Sequence, residues 1–432
     1  MLKLIFKNLW NRRRKYAWLF IELILVTALS WYIIDPAAVS IADAAMDLGY
    51  DADRLAVVEI NTLNKKSASF SEAEADSTAQ TANFERLMYK IRHYDGVERA
   101  AAIPYMSELN APSISLNQYR TKNPADSIVK SANVLTFWPG QEYLETIGLK
   151  SMPGSPDTEE LSATAHRPKK EVIITESFAR MFWPDGKGTG KYFYDDEDSI
   201  KVVGVVSDFR YQNFNRTNCA VFVFWNRLRH PVQKFNVIVR LKPGTDPDSW
   251  AREFAANARR NINTGNYYVC SATPQLDIIA ETESMYGIST ERNTKLLLAV
   301  FFLVNLVLGV IGSFYLQTRR RVTEMGVHRS FGASRRNIIA ILMGEGFALT
   351  TVSFIIGDML YLQYALKYGL DTGFGNNIMY NIINNWVTNF NEHFAIISAV
   401  VYVILMACVA IGVYLPARSV SRINPVDALR NK

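Results

Sequence analysis

Four apolar runs, very unequally spaced, constrain this 432-residue chain more than any other feature. The first extends from Tyr16 to Ile34 and is interrupted only by Glu22. The second covers Leu296 to Leu316, the third Ile338 to about Tyr364 with Glu345 and Asp358 inside it, and the fourth Phe394 to Leu415. At about 1.5 Å per residue each crosses a hydrocarbon layer ~30 Å thick. Acids at these depths are costly in lipid, so Glu22, Glu345 and Asp358 are expected to face other helices or the interface. A hydrophobic content of 49% is then an average over apolar spans and a polar remainder.

Charge orients the spans. The N-terminus to Lys15 holds six Lys and Arg, the segment between the second and third runs holds six, and the tail after Pro416 holds four, against only Glu324 and Asp427. The rest of the chain is net negative although the whole carries +6. Such an excess beside spans places those pieces, and both termini, in the cytoplasm. It gives no reason to expect nucleic acid as a partner. Residues 1–15 set Leu2, Ile5, Phe6, Leu9 and Trp10 at helical spacing, an amphipathic helix lying against membrane lipid. A cleaved signal peptide competes for the first run, with small residues near Ala42 and Ala44. Its length and its terminal Trp31 and Tyr32 favour a retained anchor.

No segment from Asp35 to about Met285 is apolar enough to span, so roughly 250 residues form an extracytoplasmic domain. Strand-like runs rich in Val, Ile and Phe cover Leu55–Ile60, Glu171–Thr175, Lys201–Val206, Ala220–Trp225 and Asn236–Leu241. Helical patterns cover Asn83–His93 and Ser249–Asn261, and the Ser- and Glu-rich tract Asn64–Ala82 reads as a loop. Strand, helix, strand recurs near Leu55–Ile103 and Asn236–Ala272. This predicts two βαβ-like units in one lobe, with the intervening chain inserted as a second lobe.

The segment RRRVTEMGVHRSFGASRRNI, from Arg319 to Ile338, joins the second and third runs. Met325, Val327 and Phe331 offer apolar contacts, Glu324 and His328 are spaced as an i,i+4 pair, and Gly332-Ala333-Ser334 breaks the helix. Read from charge alone it is either a topology-setting loop or a short helix at the membrane surface. In the tail, Pro416 is expected to end the fourth helix, Asn424-Pro425 to start a turn, and Asp427 to suit the dipole of a last short helix.

Catalytic and metal patterns do not stand out. GKGTGK at Gly186–Lys191 lacks the phosphate-loop spacing and reads as a turn. The five histidines, His93, His166, His230, His328 and His393, are scattered without ligand spacing. The acids from Asp195 to Asp198 read as a solvated turn. Cys408 lies in an apolar run, which leaves Cys219 and Cys270 as a possible but not required disulfide.

The Arg319–Ile338 segment resembles the coupling helix of MacB/FtsX/LolC-type ABC transporter permeases, although that family usually has Arg where His328 stands. The tail, Pro416 to Arg418 followed by Asn424 to Arg430, is similar to the family's PAR and NPVEALR signature. The stretches Trp138–Lys150, Glu171–Phe193 and Lys201–Arg210 resemble the extracytoplasmic domain of MacB-type members. The fold implied is an α-helical membrane protein of four transmembrane helices with a large α+β extracytoplasmic domain after the first. Its expected parts are residues 1–15, span 16–34, domain 35–285, stalk and span 286–316, coupling helix 317–337, span 338–366, loop 367–392, span 393–415 and tail 416–432.

That resemblance implies ATPase coupling through Arg321, Glu324, Met325, Gly326, Arg329, Phe331, Gly332, Ala333 and Ser334. It implies cytoplasmic tail contacts through Pro416, Arg418, Asn424, Pro425, Asp427, Leu429 and Arg430. It also implies a non-catalytic subunit that binds no cofactor itself, with ATP and Mg²⁺ on a separate ABC-type ATPase, since the first span begins at Tyr16. Further implied are a second permease subunit, membrane lipids, a periplasmic adaptor or outer-membrane partner, and a bacterial inner-membrane location. The activity would be ATP-driven mechanotransmission for export or extraction of a peptide, lipid, lipoprotein or drug. The alternatives are FtsX-like regulation of an external enzyme, or a receptor with an external ligand-binding domain.

Overall fold

The computed structural model describes residues 13–112, 115–121, 129–163, 170–195, 198–214, 219–224, 234–371 and 385–422. In chain order the elements are α1 (Arg13–Ala44), β1 (Leu55–Thr62), α2 (Ser77–Arg92), β2 (Val97–Pro104), β3 (Ser115–Tyr119) and β4 (Lys130–Phe137). Next come α3 (Tyr143–Ile147), α4 (Thr158–Ala163), β5 (Glu171–Thr175), α5 (Glu176–Phe182), β6 (Tyr192–Asp195), β7 (Asp198–Val206) and β8 (Ala220–Phe224). They are followed by β9 (Lys234–Leu241), α6 (Pro247–Asn257), β10 (Tyr267–Pro274), α7 (Gln275–Met285), α8 (Ile288–Arg319), α9 (Val322–Ser330), α10 (Arg335–Tyr368) and α11 (Phe390–Arg422). Two compact units result, one built on residues 43–289 and one on 1–42, 290–373 and 384–432.

In the first unit a four-stranded sheet has the order β10-β1-β9-β2. All of its neighbours are antiparallel, so β1 and β2 run parallel to one another with β9 between them. Two β-α-β units are thus interleaved as split βαβ motifs, which is the arrangement the repeated strand-helix-strand pattern predicts. Both faces of β1 are covered: Ala56, Val58 and Ile60 meet Phe84, Leu87, Trp250 and Phe254, while Leu55 and Val57 join Phe137, Ile173 and Phe222. Burial on both sides explains why Leu55–Ile60 reads as an almost unbroken apolar run.

The remaining strands form the predicted second lobe, a six-stranded mixed sheet ordered β3-β4-β8-β5-β7-β6. Just past β3, Arg120 N–H donates to Tyr194 O at 2.9 Å and Tyr194 N–H donates back to Arg120 O at 3.0 Å, bringing the two edges together. Closure in this way removes exposed edges. Phe178 and Phe193 pack inside it with Tyr119.

One expectation needs correction in this unit. Residues 77–82 are helical instead of looped, because the Asp76 carboxylate caps α2 by accepting from Thr78 N–H at 2.7 Å and Ala79 N–H at 2.9 Å. Cys219 is buried and Cys270 exposed, and both are free thiols. The Gly186–Lys191 stretch is the expected turn, with Gly186 and Gly190 at φ of 70° and 81°. Of the acidic turn, residues 196–197 lie outside the described residues.

In the second unit four helices have the length and hydropathy of membrane spans: Tyr16–Ala44, Ile288–Arg319, Arg335–Tyr368 and Phe390–Ser419. Small residues let their backbones approach. A Cβ on Gly357 of α10 would lie 2.7 Å from Thr27 Cβ and 2.9 Å from Ile24 O of α1. Pro416 does not end α11, which continues to Arg422. Proline removes one helical hydrogen bond, at about 3 kcal/mol. Beyond it, however, α11 carries Ala417 into a buried cluster with Met325, Ile338 and Leu342, and that burial holds the last turns in place.

Candidate coupling site

After Arg319 the chain turns through Arg320 and Arg321 into α9 and turns again at Gly332, whose φ of 90° suits glycine. Ser334 then caps α10 by accepting from Asn337 N–H at 3.2 Å. The break expected at Gly332-Ala333-Ser334 is therefore a left-handed glycine followed by a capping serine.

Met325 and Gly326 are buried on one side of α9. Phe331 is 87% exposed and Val327 39% exposed, so the apolar contacts expected of these two are not made within the chain. Arg329 falls on the same helix, with its side chain outside the described residues. Glu324 accepts from Arg321 Nε at 3.1 Å, a partner on the preceding turn that its spacing to His328 does not suggest.

Arg321 is the centre of the site. Its guanidinium donates to both oxygens of Glu345 on α10 and, at 3.1 Å, to the Tyr16 hydroxyl on α1, which itself donates to Glu345 at 3.0 Å. Burial works against its charge. The hydrogen bonds and charges of Glu324, Tyr16 and Glu345 outweigh that and raise its pKa above the ordinary arginine value. One residue at the start of α9 thus ties the cytoplasmic turn to two spans.

The three expected intramembrane acids do not meet. Glu22 accepts from the Ser313 hydroxyl of α8 at 2.8 and 3.0 Å. Asp358 accepts from Trp31 Nε1 and from the Ser398 hydroxyl, both at 2.8 Å, joining α10 to α1 and α11. Each acid links a different set of helices. A fourth polar tie escaped the sequence reading: Asp35, buried on α1, lies 2.6 Å from His393 Nε2 at the start of α11. Asp371 N–H also donates to Asp35, at 3.1 Å. These partners stand more than 300 residues apart in sequence, and no local pattern signals them.

Of the tail residues, Pro416 and Arg418 lie on α11, with Pro416 buried and Arg418 exposed. Asn424, Pro425, Asp427, Leu429 and Arg430 lie outside the described residues, as does the 1–12 part of the N-terminal amphipathic segment. Among the described residues no group of His, Cys, Asp and Glu is placed to hold a metal ion.

A family model described as the MacB-like periplasmic core domain matches residues 38–257, a little over half of the chain. A second, described as the FtsX-like permease C-terminal, matches residues 296–425. The macrolide export ATP-binding/permease protein MacB of Chromobacterium violaceum is 23% identical over 308 residues, covering 69% of this chain and 43% of that protein. MacB 1 of Yersinia pestis is 24% identical over 304 residues, covering 67% and 42%. The chain therefore spans less than half the length of these curated relatives. The solved periplasmic region of MacB from Actinobacillus actinomycetemcomitans is 13% identical, with a TM-score of 0.31 over 54% of this chain and 94% of that one. With the core-domain match covering half of its length and the permease match covering its last three spans, the chain belongs to the MacB/FtsX family of ABC transporter permeases.

Proposed function

We propose that this chain is the non-catalytic membrane subunit of an ATP-driven machine of the bacterial inner membrane, transmitting ATPase movements to its extracytoplasmic domain. The observation that carries this reading is the pairing of Arg321 with Tyr16, Glu324 and Glu345 behind a cytoplasmic helix whose Phe331 is left uncovered. An apolar side chain left uncovered at this turn is open to a partner, and the ionic tie would convert a push on α9 into a displacement of α1 and α10. The partner would be a separate ABC-type ATPase carrying ATP and Mg²⁺, two permease subunits would pair, and a periplasmic adaptor or outer-membrane protein would complete an export path. The relatives are named for macrolide export, and the cargo here falls among peptides, lipids, lipoproteins and drugs.

Swinging a two-state element from 1:99 to 99:1 needs about 5.5 kcal/mol of differential binding, which nucleotide binding by a dimeric ATPase is able to provide. The test is affinity purification of the tagged chain in mild detergent with an ATPase assay. Copurification of an ABC-type ATPase, with turnover lost or uncoupled in Phe331→Asp while membrane insertion is retained, is the expected result. Purification without an ATPase, or turnover unaffected by Phe331→Asp, would remove the reading.

A further inference from the structure

His393, on the first turn of α11, is wholly buried, and both of its ring nitrogens face oxygen atoms. Nδ1 lies 2.9 Å from the Val387 carbonyl oxygen, and Nε2 lies 2.6 Å from Asp35 Oδ1 on α1. A carbonyl oxygen only accepts, so Nδ1 must carry a hydrogen to bond it. A neutral imidazole then has none left for Nε2, and two bare lone-pair atoms repel at hydrogen-bonding distance. The other neutral tautomer only moves that repulsion to Val387. Both contacts are satisfied when a second proton sits between Nε2 and Oδ1, on the ring or on the carboxyl. That is one proton more than a neutral imidazole and a carboxylate hold together.

The surroundings support the same count. Asp35 Oδ2 accepts from Asp371 N–H at 3.1 Å, so both carboxyl oxygens are engaged. Tyr361 on α10 faces Asp35 and Asp371, with Tyr32 and Tyr364 beside it. Lys295 on α8 pairs with Glu291 at 2.9 Å and Asp371 at 3.7 Å, and Glu392 on α11 accepts from Asn389. Among the described residues, then, Lys295 alone serves Glu291 and Asp371, and Asp35 has His393. His393, Asp35 and Val387 are all buried, so solvent is not at hand to supply a missing donor.

We infer that Asp35 and His393 form a proton-binding latch. With the proton bound, α1, the residue at 371 beyond α10 and the turn before α11 are fastened at one point. Once it leaves, a single N–H remains on the ring. Asp35 keeps it, because an ionised acceptor makes the stronger bond, and the Val387 carbonyl loses its donor. Acid thus holds the 385–389 turn against His393, and base frees it. The latch is a property of the chain itself and stands independently of an ATPase partner.

Asp35→Asn supplies the comparison. Its amide N–H donates to a bare Nε2, its oxygen still accepts from Asp371 N–H, and Nδ1–H still reaches Val387, so a neutral imidazole satisfies every contact. The test uses the full-length chain, labelled with ¹⁵N-histidine, in phosphatidylcholine liposomes at about pH 6 and about pH 9, on either side of the ordinary histidine range. Solid-state NMR reads Nδ1 of His393, assigned by its absence from His393→Asn, and mass spectrometry reads amide exchange of residues 385–389. The expected result is an Nδ1 that loses its hydrogen between the two pH values in the wild type and keeps it in Asp35→Asn. At about pH 9 the turn should exchange roughly tenfold faster in the wild type than in the variant, as loss of one hydrogen bond implies. At about pH 6 the two should match. Loss of the Nδ1 hydrogen in both proteins would overturn the proposal, as would equal turn exchange at both pH values. Should Asp35→Asn fail to accumulate, the wild type still decides. An Nδ1 unchanged between the two pH values, or one that changes with no rise in turn exchange beyond that of an unstructured chain, rejects the latch.

Discussion

Arg321 and Glu345 form an ion pair whose side chains are 8% and 3% exposed, joining the turn before helix α9 to the first third of α10. The Tyr16 hydroxyl completes it from α1. Breaking one side of such a pair leaves a buried charge uncompensated, whereas removing both costs far less.

Glu345→Leu alone is accordingly expected to destabilise the purified protein by about 3–5 kcal/mol. The double variant Arg321→Met, Glu345→Leu should recover most of that loss, as measured by unfolding in detergent. If the double variant keeps its fold but loses ATPase coupling, stability and transmission are separated at this joint. Equal losses in single and double variants would mean that the pair's ionic character is not what holds the helices.

Close approach of α1 and α10 depends on Gly357. Gly357→Ala places a methyl 2.9 Å from the Ile24 carbonyl, and overpacking of this kind costs about 1–3 kcal/mol. Gly312 on α8 has nothing within 4 Å of its Cβ direction, so Gly312→Ala should be neutral or stabilising by up to about 1 kcal/mol. Thermal unfolding of the two variants in the same detergent makes the comparison.

In the extracytoplasmic unit, Gly49 and Gly154 have similar left-handed backbones, with φ of 77° and 90°. A Cβ at Gly154 meets only open space, while one at Gly49 comes within 2.3 Å of the Asp208 carbonyl oxygen. Gly154→Ala should therefore cost about 1–2 kcal/mol for conformation alone. Gly49→Ala should cost roughly 2–5 kcal/mol, because the chain must also move. Urea unfolding followed by tryptophan fluorescence distinguishes the two.

Burial raises the pKa of Glu108 above its ordinary 4.5, and the hydrogen bond donated by Asn236 only partly offsets this. The folded state thus holds this proton more tightly than the unfolded chain. Its contribution to stability is complete below pH 4.5 and is lost as pH rises through the folded value. Glu108→Gln should flatten this part of the pH profile and make the variant relatively more stable at pH 8 than at pH 4. A wild-type profile unchanged by the substitution would show that Glu108 is solvated enough to titrate normally.

Helical periods, apolar run lengths and the placement of Lys and Arg are properties of consecutive residues. They therefore determined the four spans, their orientation, the strands from Leu55 and Glu171, and the break at Gly332. The same local logic misjudged Pro416. A proline's cost is local, but the burial of Ala417 that offsets it depends on α9 and α10. The tract 64–82 hid a helix start because loop-forming and capping residues are the same types, and only the hydrogen bonds of Asp76 tell them apart.

The candidate coupling site shows the same division. Arg321, Glu324 and the exposed Phe331 were legible as a basic, amphipathic turn between spans, as were the lone acids Glu22, Glu345 and Asp358. Which partner each acid takes was not. Tyr16 with Glu345, Trp31 with Asp358, Ser313 with Glu22 and His393 with Asp35 are 329, 327, 291 and 358 residues apart, far beyond the reach of any helical or strand period. Sequence alone determined which residues enter the membrane and that three of them are acids. Only the tertiary structure decided their partners, because a buried charge is satisfied by whatever the helix crossings bring within hydrogen-bonding distance.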